Sequence, residues 1–224
     1  MRILILLLTG FLTAGCSHST GDLTILSASS LTHVLPELSE VFASQFGLEP
    51  VLVFGGSNHL AAQLNDGASA DVFLTADLDL IPAGSTGSRF AGNYLVIATQ
   101  ASNPANVNGP QDLAKKNLRI AICATGVPCG DATKRLNVPL APDTEEPSVQ
   151  AVISRLLLGD ADVGVIYATD AANQPAVEAI WPETPACPCV EYTAVALTEI
   201  GNSFTSFLDT PVARTILREH GFPQ

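Results

Sequence analysis

Short apolar runs alternate along the chain with segments whose apolar residues recur every three or four positions. The run at 23–26 has the length of a buried strand, and helical spacing then continues as far as Phe46 and stops at Gly47. Repeated strand-helix-strand alternation predicts parallel sheets with right-handed crossovers. The remaining predicted strands are 51–54, 71–75, 94–99, 118–124, 163–167, 177–181 and 190–197, and the predicted helices are 58–66, 111–115, 130–136, 149–157 and 211–220.

The Gly- and Ser-rich stretch 82–92 interrupts this alternation. We interpret the strand at 94–99 as the crossing into a second lobe, and the strand at 190–197 as the return to the first. The charge run 143–146 is expected to be a solvated loop.

The N-terminus has the pattern of an export signal. Arg2 precedes the apolar run 3–8 and a stretch of mainly small residues that ends at Cys16. This pattern predicts a signal peptide at 1–15, a lipid anchor on Cys16 and a tether at 16–21; a plain secretory signal is the alternative. The apolar run is well short of the ~20 residues that a membrane-spanning helix needs. The expected location is therefore extracytoplasmic.

Composition limits the classes of partner. Hydrophobic residues make up 47% of the chain and charged residues 14%, so a large core can be buried, and the formal net charge is −12. Without a basic stripe to replace phosphate counterions, nucleic-acid binding is excluded. Anion binding is not excluded, because local dipoles can supply the field inside a desolvated pocket.

Five cysteines divide into Cys16 and four others. Four cysteines in an exported protein favour two disulfides, which allow three pairings. A zinc site is the alternative, but the four histidines lie far from the cysteines in sequence. A bridge over the Val-Pro turn is the first choice, while the Cys-Pro-Cys pair could bridge itself only with strain. These candidates are Cys123 with Cys129, and Cys187 with Cys189.

Five segments place a hydroxyl or a backbone N–H at a predicted helix start: Ser30, Ser57, 127–130, 148–149 and Tyr167. The first N–H groups of a helix lack partners within the helix, and the helix dipole is positive there. Several converging helix starts would therefore hold a small oxyanion without a cationic side chain. Each position also has a purely structural interpretation. The two serines could be caps, Tyr167 a core aromatic, and Val149 a core residue by its side chain.

Seven short segments, in order and at matching spacing, resemble the extracytoplasmic molybdate-binding protein of molybdate ABC importers. The resemblance covers nearly all of residues 22–222. The segments are ASSLT at 28–32, FGGSNHLA at 54–61, GASADVF at 67–73, NYLVI at 93–97, VPCG at 127–130, GVIY at 164–167 with DA at 170–171, and VEY at 190–192.

The resemblance implies an α/β protein with the two-lobed type II periplasmic-binding-protein fold, each lobe a mainly parallel sheet flanked by helices, with a two-strand hinge. Lobe 1 would comprise 22–92 and 192–224, and lobe 2 would comprise 93–191. Molybdate or tungstate would bind between the lobes. The implied ligands are the hydroxyl and backbone donors of Ser30 and Ser57, the backbone N–H groups of Cys129 and Val149, and the hydroxyl of Tyr167.

The same resemblance implies a protein that is not an enzyme, has no cofactor or cation site, acts as a monomer, and would deliver its anion to a membrane permease. Two other hypotheses remain open at this stage. One is a receptor for sulfate or another tetrahedral oxyanion, since sulfate offers the same shape in a smaller frame. The other is an exported hydrolase using Ser57 and His59, although no Gly-x-Ser-x-Gly elbow surrounds Ser57.

Overall fold

The computed structural model describes residues 22–181 and 190–223. Within them the chain forms two five-stranded sheets with helices packed against them. The predicted signal peptide, Cys16, the tether, Cys187 and Cys189 lie outside the described residues. No helix in the described part of the chain has the length and apolar character needed to cross a membrane.

The elements of lobe 1 are β1 (Asp22–Ala28), α1 (Leu35–Phe46), β2 (Glu49–Gly55), α2 (Ser57–Asn65), β3 (Val72–Thr75), β4 (Gly87–Asn93), β10 (Val190–Ala196), α6 (Gly201–Leu208) and α7 (Pro211–Glu219), with short 3-10 turns at Ser29–Leu31 and Leu78–Leu80. Its sheet has the strand order β2-β1-β3-β10-β4. β1 pairs in parallel with β2 and β3, and β10 pairs antiparallel with β3 and β4.

The elements of lobe 2 are β5 (Leu95–Gln100), a 3-10 turn (Pro110–Ala114), β6 (Ile120–Cys123), α3 (Pro128–Arg135), β7 (Thr144–Glu146), α4 (Val149–Leu158), β8 (Val163–Tyr167), α5 (Ala168–Ala172) and β9 (Val177–Trp181). Its sheet repeats the arrangement of the first, with the strand order β7-β6-β8-β5-β9. β6 is parallel to β7 and β8, and β5 is antiparallel to β8 and β9.

The two-lobed α/β fold is therefore confirmed, with one refinement: each sheet is mixed. The predicted strand-helix-strand alternation gives the parallel part of each sheet. The antiparallel pairings involve the strands by which the chain changes lobe: β4 ends at Asn93 and β5 begins at Leu95, while β10 returns to pair with β4. The division into lobe 1 at 22–92 and 192–224 and lobe 2 at 93–191 stays a prediction.

Three local expectations were wrong or incomplete. Residues 144–146 form the edge strand β7, and Glu146 is buried with its carboxylate 2.8 Å from Nε of Arg155, so this run is not simply a solvated loop. The helical spacing after the first predicted strand becomes α1 only from Leu35, with Pro36 in its first turn, where a missing N–H costs little. β4 and α6 were not predicted.

Candidate functional site

All five predicted site residues line one cleft between the two lobes. The cleft is narrow: the volume open to the centre of a water-sized sphere is about 10 Å³, close to what a single water molecule needs. Its walls therefore lie close together, and only a small ligand would fit between them. It is lined by Ser30, Ser57, Cys129, Val149 and Tyr167 together with Ala28, Ser29, Gly55, Gly56, Ala76, Val127, Pro128 and Ser148.

Ser57 is the first residue of α2, and the N-cap position belongs to Gly56, whose backbone is extended. The prediction that the Ser57 side chain caps this helix was therefore wrong. Its buried hydroxyl instead accepts a hydrogen bond from the backbone N–H of Ala76 at 3.2 Å. Because Oγ already accepts a bond, its own hydrogen is available to donate, and Ser57 presents a hydroxyl and a first-turn N–H to the same cleft.

Ser30 lies in the 3-10 turn Ser29–Leu31, before the start of α1, rather than at the start of a long helix. Its side chain is buried, and its Oγ accepts a hydrogen bond from the hydroxyl of Tyr192 at 2.8 Å. Tyr192 lies on β10, so the return strand of the hinge touches this site residue directly. Sequence reasoning missed this contact.

On the lobe 2 side, α3 begins at Pro128, two residues before the predicted start at 130, and Val127 is its N-cap. Cys129 follows, and its disulfide to Cys123 confirms the first-choice pairing, with Cα atoms 5.7 Å apart. The bridge ties the start of α3 to the end of β6. Gly130 lets the start of α3 lie directly against the backbone after β6, because a Cβ at this position would lie 2.0 Å from the carbonyl oxygen of Ala124.

Val149 is the first residue of α4, and its side chain is part of the core. The preceding Ser148 is the N-cap, with its hydroxyl accepting from the N–H of Ala151 at 3.2 Å. The N–H of Val149 therefore belongs to a capped first turn that borders the cleft. Gly159 ends the helix in the left-handed region.

Tyr167 ends β8 and is the N-cap residue of the short helix α5. Its ring is buried, in edge contact with Tyr192 at 6.4 Å between centroids. The residue is thus a core aromatic that also lines the cleft, and the two interpretations offered by the sequence are compatible.

The side chains that line the cleft carry no formal charge in the part of the chain that the structure describes. A buried carboxyl, Asp170, lies on α5, and burial raises its pKa well above the usual range. Hydrogen bonds from the Gln150 amide, at 2.9 Å, and from the Tyr167 backbone oppose that shift. Asp170 thereby connects α4 and the end of β8, two elements that border the cleft.

A separate, larger cavity opens beside the cleft, sharing Ala76 and Pro128 with it. Its charged lining consists of Asp77, Asp79, Asp131, Arg135 and Glu191. Within residues 22–181 and 190–223, no three His, Cys, Asp or Glu side chains are placed to hold a metal ion.

Two lobes joined by paired crossing strands, with a cleft of neutral donors between them, define a type II periplasmic binding protein. The family model described as bacterial extracellular solute-binding protein matches residues 23–223, and the chain belongs to that family.

The molybdate-binding protein ModA of Mycobacterium tuberculosis is 30% identical over 227 residues, covering 93% of this chain and 87% of that protein. A periplasmic molybdate-binding protein of Azotobacter vinelandii superposes with a TM-score of 0.71 and 25% identity, over 90% of this chain and 100% of that one. These relatives confirm the resemblance seen in the sequence. The sulfate-binding protein SubI of M. tuberculosis shares the fold, with a TM-score of 0.73 at 14% identity over 90% of this chain and 86% of that one.

Proposed function

We propose that this chain captures molybdate in the cleft between its lobes, as the solute receptor of a molybdate ABC importer. The observation that carries the proposal is the convergence of neutral donors from both lobes on one small cleft. The relatives named as molybdate-binding proteins support the choice of anion.

The chemistry of the lining suits a fully deprotonated oxyanion. A dianion removed from water needs many hydrogen-bond donors, because a buried charge without partners is costly. First-turn N–H groups at Ser57, Cys129 and Val149 belong to three different helices and are rigidly held. A lining without carboxylates offers no strong acceptor for a protonated oxyanion, which disfavours hydrogen phosphate.

Tungstate has the same shape and charge as molybdate, and we propose that it binds as well. Sulfate differs mainly in size, so the cleft dimensions should decide against it. The sulfate-binding neighbour shares only the fold, and fold does not select the anion. For a hydrolase using Ser57 and His59, the geometry offers no support, because Ser57 is buried in the cleft while His59 lies on the exposed side of α2.

The remaining features of the proposal follow from this role. The protein would act as a monomer, without a cofactor or a catalytic step, and would deliver the anion in its closed form to a membrane permease. It would work outside the cytoplasmic membrane, held there by a lipid on Cys16.

Isothermal titration of the mature protein with molybdate, tungstate, sulfate and phosphate tests the proposal. Heat with molybdate and tungstate alone is the expected result. Heat with sulfate and none with molybdate would replace molybdate with a different oxyanion. Heat with none of the four would contradict the proposal that the protein is an anion receptor, and the exported hydrolase would then be the remaining hypothesis.

A further inference from the structure

Four buried polar side chains form a continuous hydrogen-bond network at the hinge, beneath the cleft. Asn93, the last residue of β4, donates from Nδ2 to Oγ1 of Thr169 at 2.7 Å and to the hydroxyl of Tyr192 at 3.1 Å. The hydroxyl of Tyr192 donates in turn to Oγ of Ser30 at 2.8 Å. Each of the four residues is at most 4% exposed.

The side-chain amide of Asn93 determines which group donates and which accepts in each bond of this network. The amide oxygen of Asn93 accepts the backbone N–H of Tyr94 at 2.9 Å, so the other end of the amide is the NH₂ group, which can only donate. Tyr192 accepts from that group and has a single hydroxyl hydrogen, which points to Ser30. Oγ of Ser30 is thereby used as an acceptor, and its own hydrogen must be donated elsewhere. Ser30 lines the cleft.

We propose that Tyr192, oriented by Asn93, is a positioning residue that fixes the Ser30 hydroxyl as a donor toward the bound oxyanion. The inference rests on the proposed function, which supplies the anion. A serine hydroxyl left alone can turn to donate or to accept, and would then also serve an oxyanion that carries a proton. With Tyr192 in place, one of the two lone pairs of the Ser30 Oγ is already used and the hydroxyl hydrogen is directed away from Tyr192, which favours the deprotonated anion over hydrogen phosphate.

The hydrogen-bond network lies where the two lobes are joined. Asn93 and Tyr192 lie on the two strands that join the lobes, and Thr169 lies on α5 of lobe 2. Ser30 is therefore oriented by groups whose relative positions depend on the hinge. Tyr192 also makes ring contacts with Phe90, Phe222 and Tyr167 at 5.7–6.4 Å between centroids. A phenylalanine at 192 keeps those ring contacts and removes only the hydroxyl.

The test is a double-mutant cycle read by titration calorimetry with molybdate near neutral pH. The phosphate affinity, too weak in the parent for direct titration, is read from how much a fixed high concentration of phosphate weakens molybdate binding. The variants are Tyr192→Phe, Ser30→Ala and the pair combined. Tyr94→Phe is the matched control, since Tyr94 is half-buried and does not line the cleft. Tyr192→Phe should weaken molybdate binding about tenfold, in keeping with the loss of one oriented hydrogen bond. Its molybdate-to-phosphate affinity ratio should fall, and adding Tyr192→Phe to Ser30→Ala should change molybdate binding by less than twofold.

A second variant covers the case in which Tyr192→Phe folds poorly. Asn93→Leu keeps Tyr192 but removes the donor that orients it, so it should weaken molybdate binding several-fold and lower the same ratio. Unfolding midpoints without anion report whether each variant is folded.

Parent-like affinity and selectivity in folded Tyr192→Phe would overturn the inference. So would an equal loss from Tyr192→Phe in the parent and Ser30→Ala backgrounds, because Tyr192 would then act through packing. If the parent binds sulfate rather than molybdate, the proposed function fails, yet the same cycle run with sulfate still decides the role of Tyr192. A parent that binds no oxyanion overturns both.

Discussion

The backbone of Gly56 in lobe 1 lies directly against Pro147 in lobe 2: a Cβ atom added at Gly56 would be 2.7 Å from the carbonyl oxygen of Pro147. Gly56 is the N-cap of α2, and Pro147 precedes the N-cap of α4. The two helix starts that border the cleft are therefore brought together by a contact that has no room for a side chain. The lobes touch at the edge of the cleft.

We expect Gly56→Ala to hinder closure of the lobes. The backbone of Gly56 has φ −62° and ψ 133°, which alanine adopts freely, so the substitution introduces a steric conflict rather than backbone strain. Molybdate affinity should fall at least tenfold, while the unfolding midpoint without anion should change little, because an open molecule avoids the conflict. Calorimetry and small-angle scattering with and without molybdate provide the measurements. Parent-like affinity with normal compaction would show that this contact does not limit closure.

The sequence predicted those parts of the cleft that are formed by the starts of helices. Apolar periodicity located β8 and β9 at their observed bounds, and the turn around Pro128 pointed to the observed disulfide. The family resemblance then selected five residues from different elements, and all five line one cleft.

What the sequence did not reveal depends on contacts between distant segments. β4 is rich in glycine and lacks an apolar pattern; Gly87 is needed because a Cβ there would lie 2.3 Å from a methyl group of Thr193 on β10. The bond from Tyr192 to Ser30 joins residues 162 positions apart, and no local signal marks it. α2 begins one residue earlier than predicted, so Gly56 is its N-cap, and the Ser57 hydroxyl accepts a hydrogen bond from the distant Ala76 instead.

Removing either of two cleft hydroxyls should weaken anion binding without unfolding the protein. Ser57→Ala and Tyr167→Phe should each cost roughly 1.5 to 3 kcal/mol of molybdate binding free energy, the range for a hydrogen bond to a charged group. Ser44→Ala removes an exposed hydroxyl of α1 and is the control. Titration calorimetry measures all three. If both cleft variants bind as the parent does, these hydroxyls serve only the fold.

Loss of the Cys123–Cys129 bridge should lower stability more than it lowers affinity. The bridge closes a short loop, with a sequence separation of 6, so the double substitution to alanine should reduce the free energy of unfolding by about 2 kcal/mol. Cys129 would contribute its backbone N–H, which alanine keeps, and Gly130 still holds the start of α3 against β6. Molybdate affinity should therefore stay within a few-fold of the parent. Denaturant unfolding and calorimetry measure the two effects, and a large loss of affinity at unchanged stability would contradict this account.

Asp170 should make the protein less stable as the pH rises. Burial raises the pKa of its carboxyl in the folded state, whereas the unfolded chain titrates near the usual value of ~3.9. Between those two pKa values the folded state binds more protons, so the free energy of unfolding falls with rising pH, by up to about 1.4 kcal/mol per pH unit. Asp170→Asn does not titrate and still offers the Gln150 amide an acceptor, so it should gain stability relative to the parent as the pH rises above ~4.

Asp112 provides the control of opposite sign. Its hydrogen bond with Lys115, and others from the backbone of Asn108 and Gly109, lower the pKa of its carboxyl. That stabilisation is present above pH ~4 and is lost as the pH falls through the lowered pKa, so Asp112→Asn should be less stable than the parent at pH 7, and the difference should shrink in acid. Urea unfolding of the parent and both variants from pH 3 to pH 8 measures both trends. A constant stability difference between Asp170→Asn and the parent across that range would mean that the pKa of Asp170 is the same in the folded and the unfolded protein.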